Sequence, residues 1–358
     1  MAGIAILGLP NVGKTTLFNA LTGIGAPTAS HPFSTVEPNL GVAKVPDPDL
    51  DRAAEIEKSK KIVHASLELL DLPTMAGSGH SGLAPRFVGR LREEEALVVV
   101  LRAFEDETVP ADESGIDPLE QAETLLLELT LADAEVFARR SERAAKEAGA
   151  DAGMKRFAEA IAKAAAVLAG GTPLRAMSWT REEMGAFRDL APLTLKPAVW
   201  VINAGEDDDT AAAAVAAVQD LVPQGDTVVA VSARLEEEAA ELDPADRAEL
   251  YEGLGLGEGA LTTMVRATYD AIGLISFYTL GPKEAHAWTV RRGATAREAA
   301  GKIHSDLERG FIRAEIATLD EVMEAGGWDA RKAAGGIRVE GKDYVIAERD
   351  VIVVRFSV

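Results

Sequence analysis

Gly8-Leu-Pro-Asn-Val-Gly-Lys-Thr15 is the stretch that decides how this chain is read. A glycine, four residues, a second glycine and then Lys-Thr is the spacing of a phosphate-binding loop. Upstream, Gly3-Ile-Ala-Ile-Leu7 is a short apolar run that predicts a buried strand. Downstream, Thr15-Thr-Leu-Phe-Asn-Ala-Leu-Thr22 carries apolar residues at helical spacing. Strand, tight loop and helix is the order the chemistry needs. Successive backbone N–H groups curl around the phosphates, and the helix N-terminus adds partial positive charge. Lys14 is expected to reach the outer phosphates of a bound nucleotide, and the Thr15 hydroxyl to ligate Mg²⁺.

Composition bounds the rest. A chain of 358 residues can hold two or three domains and a sizeable core. The net charge of −21 argues against a general nucleic-acid coat protein. That charge is uneven: Thr279 to Val358 holds 13 Lys+Arg and 13 Asp+Glu, so the excess acid lies before it and a local basic face near the C-terminus stays open. With no cysteine, disulfides, thiol catalysis and thiolate metal sites are excluded. The longest pure apolar run, Ala96-Leu-Val-Val-Val-Leu101, falls far short of the roughly 20 residues of a membrane span. No charged leader precedes the phosphate loop. The expectation is therefore no cleaved signal, no membrane partner and a cytoplasmic location.

Further strand candidates are Asn39–Val45, Ser66–Asp71, Ala96–Arg102, Pro197–Asn203 and Thr227–Ser232, with helical stretches between them. That alternation predicts an α/β unit with a mostly parallel sheet. Pro118 to Leu168 breaks the pattern: Thr124–Phe137 and Lys155–Leu168 read as helices separated by Gly149–Gly153, which suggests an inserted helical hairpin. From Ser276 a smaller β-rich module begins, with a strand at Ala287–Arg291, a helix at Thr295–Arg309 and a final run at Asp350–Val358. The expected division is 1–117 with 196–275, then 118–195, then 276–358. The acidic clusters Glu93–Glu95, Asp207–Asp209 and Glu236–Glu238 read as solvated faces.

Other segments refine the nucleotide reading. The connection His31-Pro-Phe-Ser-Thr-Val-Glu-Pro-Asn39 lies where switch proteins place a Thr that closes over Mg²⁺, and Thr35 is the candidate. Asp71 ends an apolar strand, where a carboxylate can hold the metal through water. Thr74 then stands where such proteins carry a glycine, and Pro73 stiffens the turn. Asn203-Ala-Gly-Glu206 closes a strand where guanine-specific proteins carry Asn-Lys-x-Asp. With Ala204 and the longer Glu206 in place, strict guanine selection is not expected. Ser232 and Ala233 would bring backbone N–H groups beside the base.

The text Gly8–Leu21, Pro32–Asn39, Val45–Pro48, Leu193–Pro197 and Ala240–Asp243 resembles the YchF/Obg-like ATPase family, a branch of the Obg-related P-loop GTPases. The C-terminal stretches Lys283–Trp288, Ala300–His304, Gly310–Glu315 and Glu340–Val345 resemble that family's TGS domain. The resemblance implies a Ras-like P-loop NTPase domain, an inserted coiled-coil hairpin and a C-terminal β-grasp TGS domain. It also implies a monomer that binds ATP at least as well as GTP, associates with ribosomes and hydrolyses slowly. By motif, Asn11, Val12, Gly13, Lys14, Thr15 and Thr16 would bind phosphates, Thr15, Thr35 and Asp71 the metal, and Asn203 and Glu206 the base. The chain departs from the family at Asp71-Leu-Pro-Thr74 and in Glu105–Glu113, where the family's His is missing. No Gln lies near Asp71 to orient water, and His80 is the substitute beside Lys14 and Asp71. Two readings stand: a slow Mg²⁺-dependent ATPase switch, or a nucleotide-gated ribosome- or RNA-binding module with little hydrolysis. Lys283, Arg291, Arg292, Arg297, Lys302, Arg309 and Arg313, with the hairpin, are the candidate RNA contacts.

Overall fold

The structure, a computed structural model, describes residues 3–26, 38–72, 85–109, 115–149, 151–205, 210–254 and 259–357. In chain order the first elements are β1 (Gly3–Leu7), α1 (Lys14–Thr22), β2 (Asn39–Lys44), α2 (Pro48–Glu57), β3 (Ile62–Val63), β4 (Ser66–Asp71), α3 (Pro85–Glu93) and β5 (Ala96–Arg102). The long helices α4 (Pro118–Glu147) and α5 (Ala152–Ala169) and the short α6 (Arg181–Phe187) follow. Then come β6 (Ala198–Asn203), α7 (Ala211–Leu221), β7 (Thr227–Val231), α8 (Ala233–Ala240), α9 (Pro244–Gly253) and α10 (Ala260–Ala271). The last part holds β8 (Leu274–Thr279), β9 (Ala285–Arg291), α11 (Ala296–Ile303), α12 (Ser305–Arg309), β10 (Phe311–Thr318), α13 (Leu319–Ala325), α14 (Trp328–Ala333), β11 (Arg338–Glu340) and β12 (Asp350–Phe356). Contacts divide the chain into two compact units, 1–42 with 68–271, and 43–67 with 272–358.

The first unit is built on a sheet of order β2-β4-β1-β5-β6-β7. The pairs β1–β4, β1–β5, β5–β6 and β6–β7 are parallel, as the alternating pattern predicts. Every residue of β5 and β6 is buried, so these strands read as continuous apolar runs rather than alternating ones. β1 sits between β4 and β5. The chain therefore leaves β1 toward one side and later returns to the other, and this makes its carboxyl end a topological switch point where α/β sheets bind ligands.

The inserted helices are longer than their apolar periodicity suggested. Asp117 caps α4 by accepting from Leu119 N–H, with Pro118 in the first turn, and Asp151 restarts the chain as the cap of α5. Phe137, Ile161, Ala164, Leu168, Leu174 and Phe187 form their core, and the Phe187 ring meets Phe137 edge-on at 5.5 Å. Two buried polar anchors fasten α4 within its unit. Gln121 accepts from Arg102 N–H at 2.8 Å and donates to Arg102 C=O at 3.0 Å, so it closes the end of β5. Asp133, fully buried, accepts from Leu193 N–H (3.0 Å), Thr194 N–H (2.8 Å) and the Thr194 hydroxyl (2.8 Å). It also pairs with the Arg92 guanidinium of α3 at 2.7 Å.

Glu128 on α4 is a half-buried carboxyl without such partners. Its Oε1 is buried with no hydrogen-bond partner among the described residues, and burial alone pushes the carboxyl up from 4.5 to about 7. The folded state thus holds a proton that the unfolded chain has already lost. Stability should fall as pH rises from about 4.5 to about 7 and then level off. Glu128→Gln is expected to add about 1–2 kcal/mol at pH 8, after allowance for solvent screening, and almost nothing at pH 4.5. Urea unfolding at the two pH values measures this, and equal gains at both would contradict it.

The second unit has a mixed sheet of order β11-β10-β12-β8-β9-β3. β8 and β9 form an antiparallel pair, β10 and β12 another, and β12 lies parallel to β8, with α11 packed on the sheet. This is the grasp of a helix by a mixed sheet that the resemblance implied. Ile275, Phe277, Val290, Ala299, Ala314, Ile316 and Ile352 fill the space between. The helix expected over Thr295–Arg309 is two helices, because His304 adopts φ −165° and ψ 141°. Residues 43–67, read from sequence with the nucleotide-binding part, group here instead. β3 pairs with β9, the Tyr278 hydroxyl donates to Asp47 at 2.6 Å, and Arg349 bridges Asp49 (2.7 Å) and Asp320 (2.6 Å). Among the basic positions, Arg292 pairs with Glu348 at 3.5 Å and Arg309 with Asp306. Among the described residues no helix is long and apolar enough to cross a membrane.

Candidate nucleotide-binding site

The site begins where β1 ends. A Cβ at Gly8 would lie 2.4 Å from Val100 C=O, so only glycine lets the loop leave β1 this close to β5. Asn11 at φ 60° and Gly13 at φ 90° take left-handed conformations that curl the backbone before α1 starts at Lys14. A Cβ on Gly13 would also come within 2.2 Å of Asn203 Nδ2. The two glycines of the motif are therefore needed for different reasons: close approach at Gly8, conformation and approach together at Gly13. Val12 is buried beneath the loop, and Thr16 stands half-buried in the first turn of α1.

Lys14 is buried, and its Nζ donates to Gly8 C=O (3.1 Å) and Leu9 C=O (3.0 Å). The ammonium is thus folded back over its own loop. Burial pushes it down to about 8, against the pull of Asp71, which raises it. Asp71 ends β4 opposite Ile6 of β1. Its Oδ2 accepts from the Thr15 hydroxyl at 2.9 Å and from Asn39 Nδ2 at 3.0 Å. Its Oδ1 is buried and has no hydrogen-bond partner among the described residues. Burial raises the Asp71 carboxyl above the usual range, and Asn39, Lys14 and Thr15 each oppose that rise.

Asn203, opposite Arg102 at the ends of β6 and β5, donates through Nδ2 to Val12 C=O (2.9 Å) and accepts through Oδ1 from Ala233 N–H (3.0 Å). It braces the phosphate loop against α8. The Ala233 N–H is accordingly engaged by Asn203, where the sequence suggested a donor beside the base. The Ser232 hydroxyl caps α8 by accepting from Leu235 N–H.

The structure brings Asn11, Val12, Gly13, Lys14, Thr15, Asp71, Asn203 and Ala233 to the carboxyl ends of the parallel strands. Thr35, His80 and Glu206, together with Thr74, lie outside the described residues. Three neighbours escaped the sequence reading. Asn39 closes the 31–39 connection, where the sequence alone assigns it no role. Phe104, half-buried, places its ring 3.9 Å from a Cβ built on Gly13, with the Arg102 guanidinium 4.4 Å from the ring centroid. Its only signal was its place two residues past a buried strand. Glu236, read as part of a solvated cluster, is buried. It accepts from the Tyr251 hydroxyl (2.6 Å), Ala260 N–H (2.7 Å) and Leu261 N–H (3.2 Å), and so caps α10. An i to i+2 run of carboxylates on a helix does not say which of them turns inward.

A family model described as "50S ribosome-binding GTPase" matches residues 3–134, and the model YchF-GTPase_C, described as a protein of unknown function, matches residues 274–357. The Ribosome-binding ATPase YchF of Haemophilus influenzae is 39% identical over 357 residues, 99% of this chain and 98% of that protein. The protein of the same description from Bacillus subtilis is 38% identical over 362 residues, 99% of this chain and 98% of that one. Obg-like ATPase 1 of Oryza sativa subsp. indica is 34% identical, over 99% of this chain and 92% of that protein. The structure of the Schizosaccharomyces pombe YchF GTPase superposes with a TM-score of 0.86 at 29% identity, covering 99% of this chain and 97% of that one. Phosphate loop, parallel sheet and strand-end carboxylate together define a P-loop nucleoside triphosphatase. Within that class the chain belongs to the YchF family.

Proposed function

We propose that this chain is a Mg²⁺-dependent, slow ATPase that acts as a cytoplasmic, ribosome-associated switch. One observation carries the metal-and-nucleotide reading: Asp71, whose Oδ2 takes the Thr15 hydroxyl next to a buried lysine, keeps a buried Oδ1 with no partner among the described residues. The donor set suits Mg²⁺. Both groups are hard oxygens, and the described residues hold no group of three or more His, Asp or Glu that could cage a metal alone. Mg²⁺ typically keeps waters and takes phosphate oxygens, and so needs only one or two protein ligands. Thr15 would hold it directly, Asp71 through water, and Thr35 by its place in the sequence. Bound there, the cation supplies neutralisation of charge on the phosphates.

The protein's own part is placement. Lys14 exchanges Gly8 and Leu9 carbonyls for phosphate oxygens, and the backbone of Asn11 to Thr16 supplies N–H donors, so that catalysis is electrostatic. Base choice rests on Ala204 and Glu206 in place of Lys and Asp, with Asn203 engaged by Val12 and Ala233. ATP is therefore accepted, and GTP is not strictly selected. The relatives named ribosome-binding support the ribosome as partner. The inserted helices 118–195 and the C-terminal module, as a monomer, would present the contact surfaces, including any to RNA. A second reading, binding with little turnover, is favoured by residues 105–109, which offer no imidazole. His80 is the proposed substitute.

Single-turnover phosphate release with Mg·ATP and Mg·GTP in parallel separates these readings. Release from ATP above background, at least equal to that from GTP, is expected. Tight binding with no release from either would leave the binding module standing and remove the ATPase.

A further inference from the structure

The two oxygens of Asp71 are unequal. Oδ2 receives two hydrogen bonds, from Thr15 at 2.9 Å and from Asn39 at 3.0 Å, while Oδ1 is buried with none among the described residues. The terminal torsion of an aspartate is broad and roughly two-fold. One donor would leave the carboxylate free to swing, but two donors on the same oxygen, from α1 and β2, fix its plane. Asn39 opens β2, the strand next to β4 in the sheet, so sheet pairing rather than a loop sets where its amide stands.

We infer that Asn39 is a positioning residue for the metal site: it holds Asp71 by Oδ2 so that Oδ1 is the oxygen left for the water of the nucleotide-bound Mg²⁺. This rests on the metal reading above. The division of labour follows from the chemistry of the two donors. Thr15 donates a hydrogen bond to Asp71 and keeps oxygen lone pairs for the cation, so it serves both. Asn39 donates to the carboxylate and takes no part in holding the cation, so it can hold Asp71 in either state. An amide does this without adding charge, whereas a cationic donor would repel the metal and a carboxylate would repel Asp71.

The test is a Mg²⁺ titration of fluorescent-ATP binding by the full chain, against a baseline in EDTA, for the parent, Asn39→Leu and Asn39→Ala. Removing an outer partner of a metal ligand typically costs about 10–100-fold in metal affinity. Both variants should need about tenfold more Mg²⁺ to reach half-effect, while binding in EDTA stays within about twofold of the parent. Leu keeps the size of Asn, so its agreement with Ala would exclude a packing cause. An unchanged Mg²⁺ midpoint overturns the inference, and so does a loss of equal size with and without Mg²⁺, which marks a merely structural role. A parent indifferent to Mg²⁺ removes the metal reading and this one with it. A parent that responds while the variants match it removes the Asn39 role alone.

Discussion

Lys14→Ala is expected to lower ATP affinity about 100-fold or more and to reduce phosphate release to background. The cause is specific to the buried ammonium. Hydrogen bonds to charged groups contribute about 1.5–3 kcal/mol each, and a lysine spanning the outer phosphates makes more than one. Its present acceptors, Gly8 and Leu9 C=O, are backbone groups at the loop itself, so the side chain has little distance to travel to reach a ligand in the loop. Because Lys14 is buried and its charge is disfavoured there, removing it should not destabilise the fold. A Lys14→Ala variant that unfolds at the parent's temperature but fails to bind is the expected pair of results. Calorimetric titration and a thermal melt report both. A variant that binds ATP within a few-fold of the parent would show that the loop's amides suffice.

Asp133→Ala should cost about 3–5 kcal/mol of stability, the largest single-residue effect expected outside the nucleotide site. The substitution leaves Arg92 partly buried without its carboxylate and strips the acceptor from Leu193 N–H, Thr194 N–H and the Thr194 hydroxyl. Arg92 would keep its bonds to the carbonyls of Leu190, Ala191 and Ala132, which cannot offset a full charge. Asp133→Asn, which keeps one acceptor, should fall between. Adding Arg92→Met to Asp133→Ala should recover part of the loss, since the destabilising element is the orphaned cation. Urea denaturation of the parent, Asp133→Ala, Arg92→Met and the double variant gives the cycle. A loss below about 1 kcal/mol in Asp133→Ala would mean that water or a rearranged 188–196 segment replaces the carboxylate.

These two residues mark how far the sequence could be read. Lys14 was legible because its chemistry is local: the glycine spacing, the apolar strand before it and the helix after it all lie close together in the chain. The parallel sheet was legible for a similar reason, since β1, β4, β5, β6 and β7 each announce themselves as short apolar runs between helices. Asp133 was not, because an aspartate within an alternating helix looks like surface until its partners, Arg92 far before it and Leu193 and Thr194 far after, are placed. The same limit hid Glu236 and moved residues 43–67 to the second unit, where β3 joins the distant β9. At the site itself, the motif named Thr15 and Asp71, but only the folded chain shows that one Asp71 oxygen accepts two hydrogen bonds and the other none among the described residues. Hydrogen-bond valence is a property of three-dimensional neighbours, and no spacing rule carries it.

Gly8 to Thr15 and Asp71 are proposed to form a nest for a purine triphosphate and its magnesium. Isothermal calorimetry of ATP into the purified chain, with Mg²⁺ present and again in EDTA, tests it most directly. Saturable one-to-one binding that tightens with Mg²⁺ is the predicted result. No uptake of ATP or GTP in either condition would contradict the account at its root.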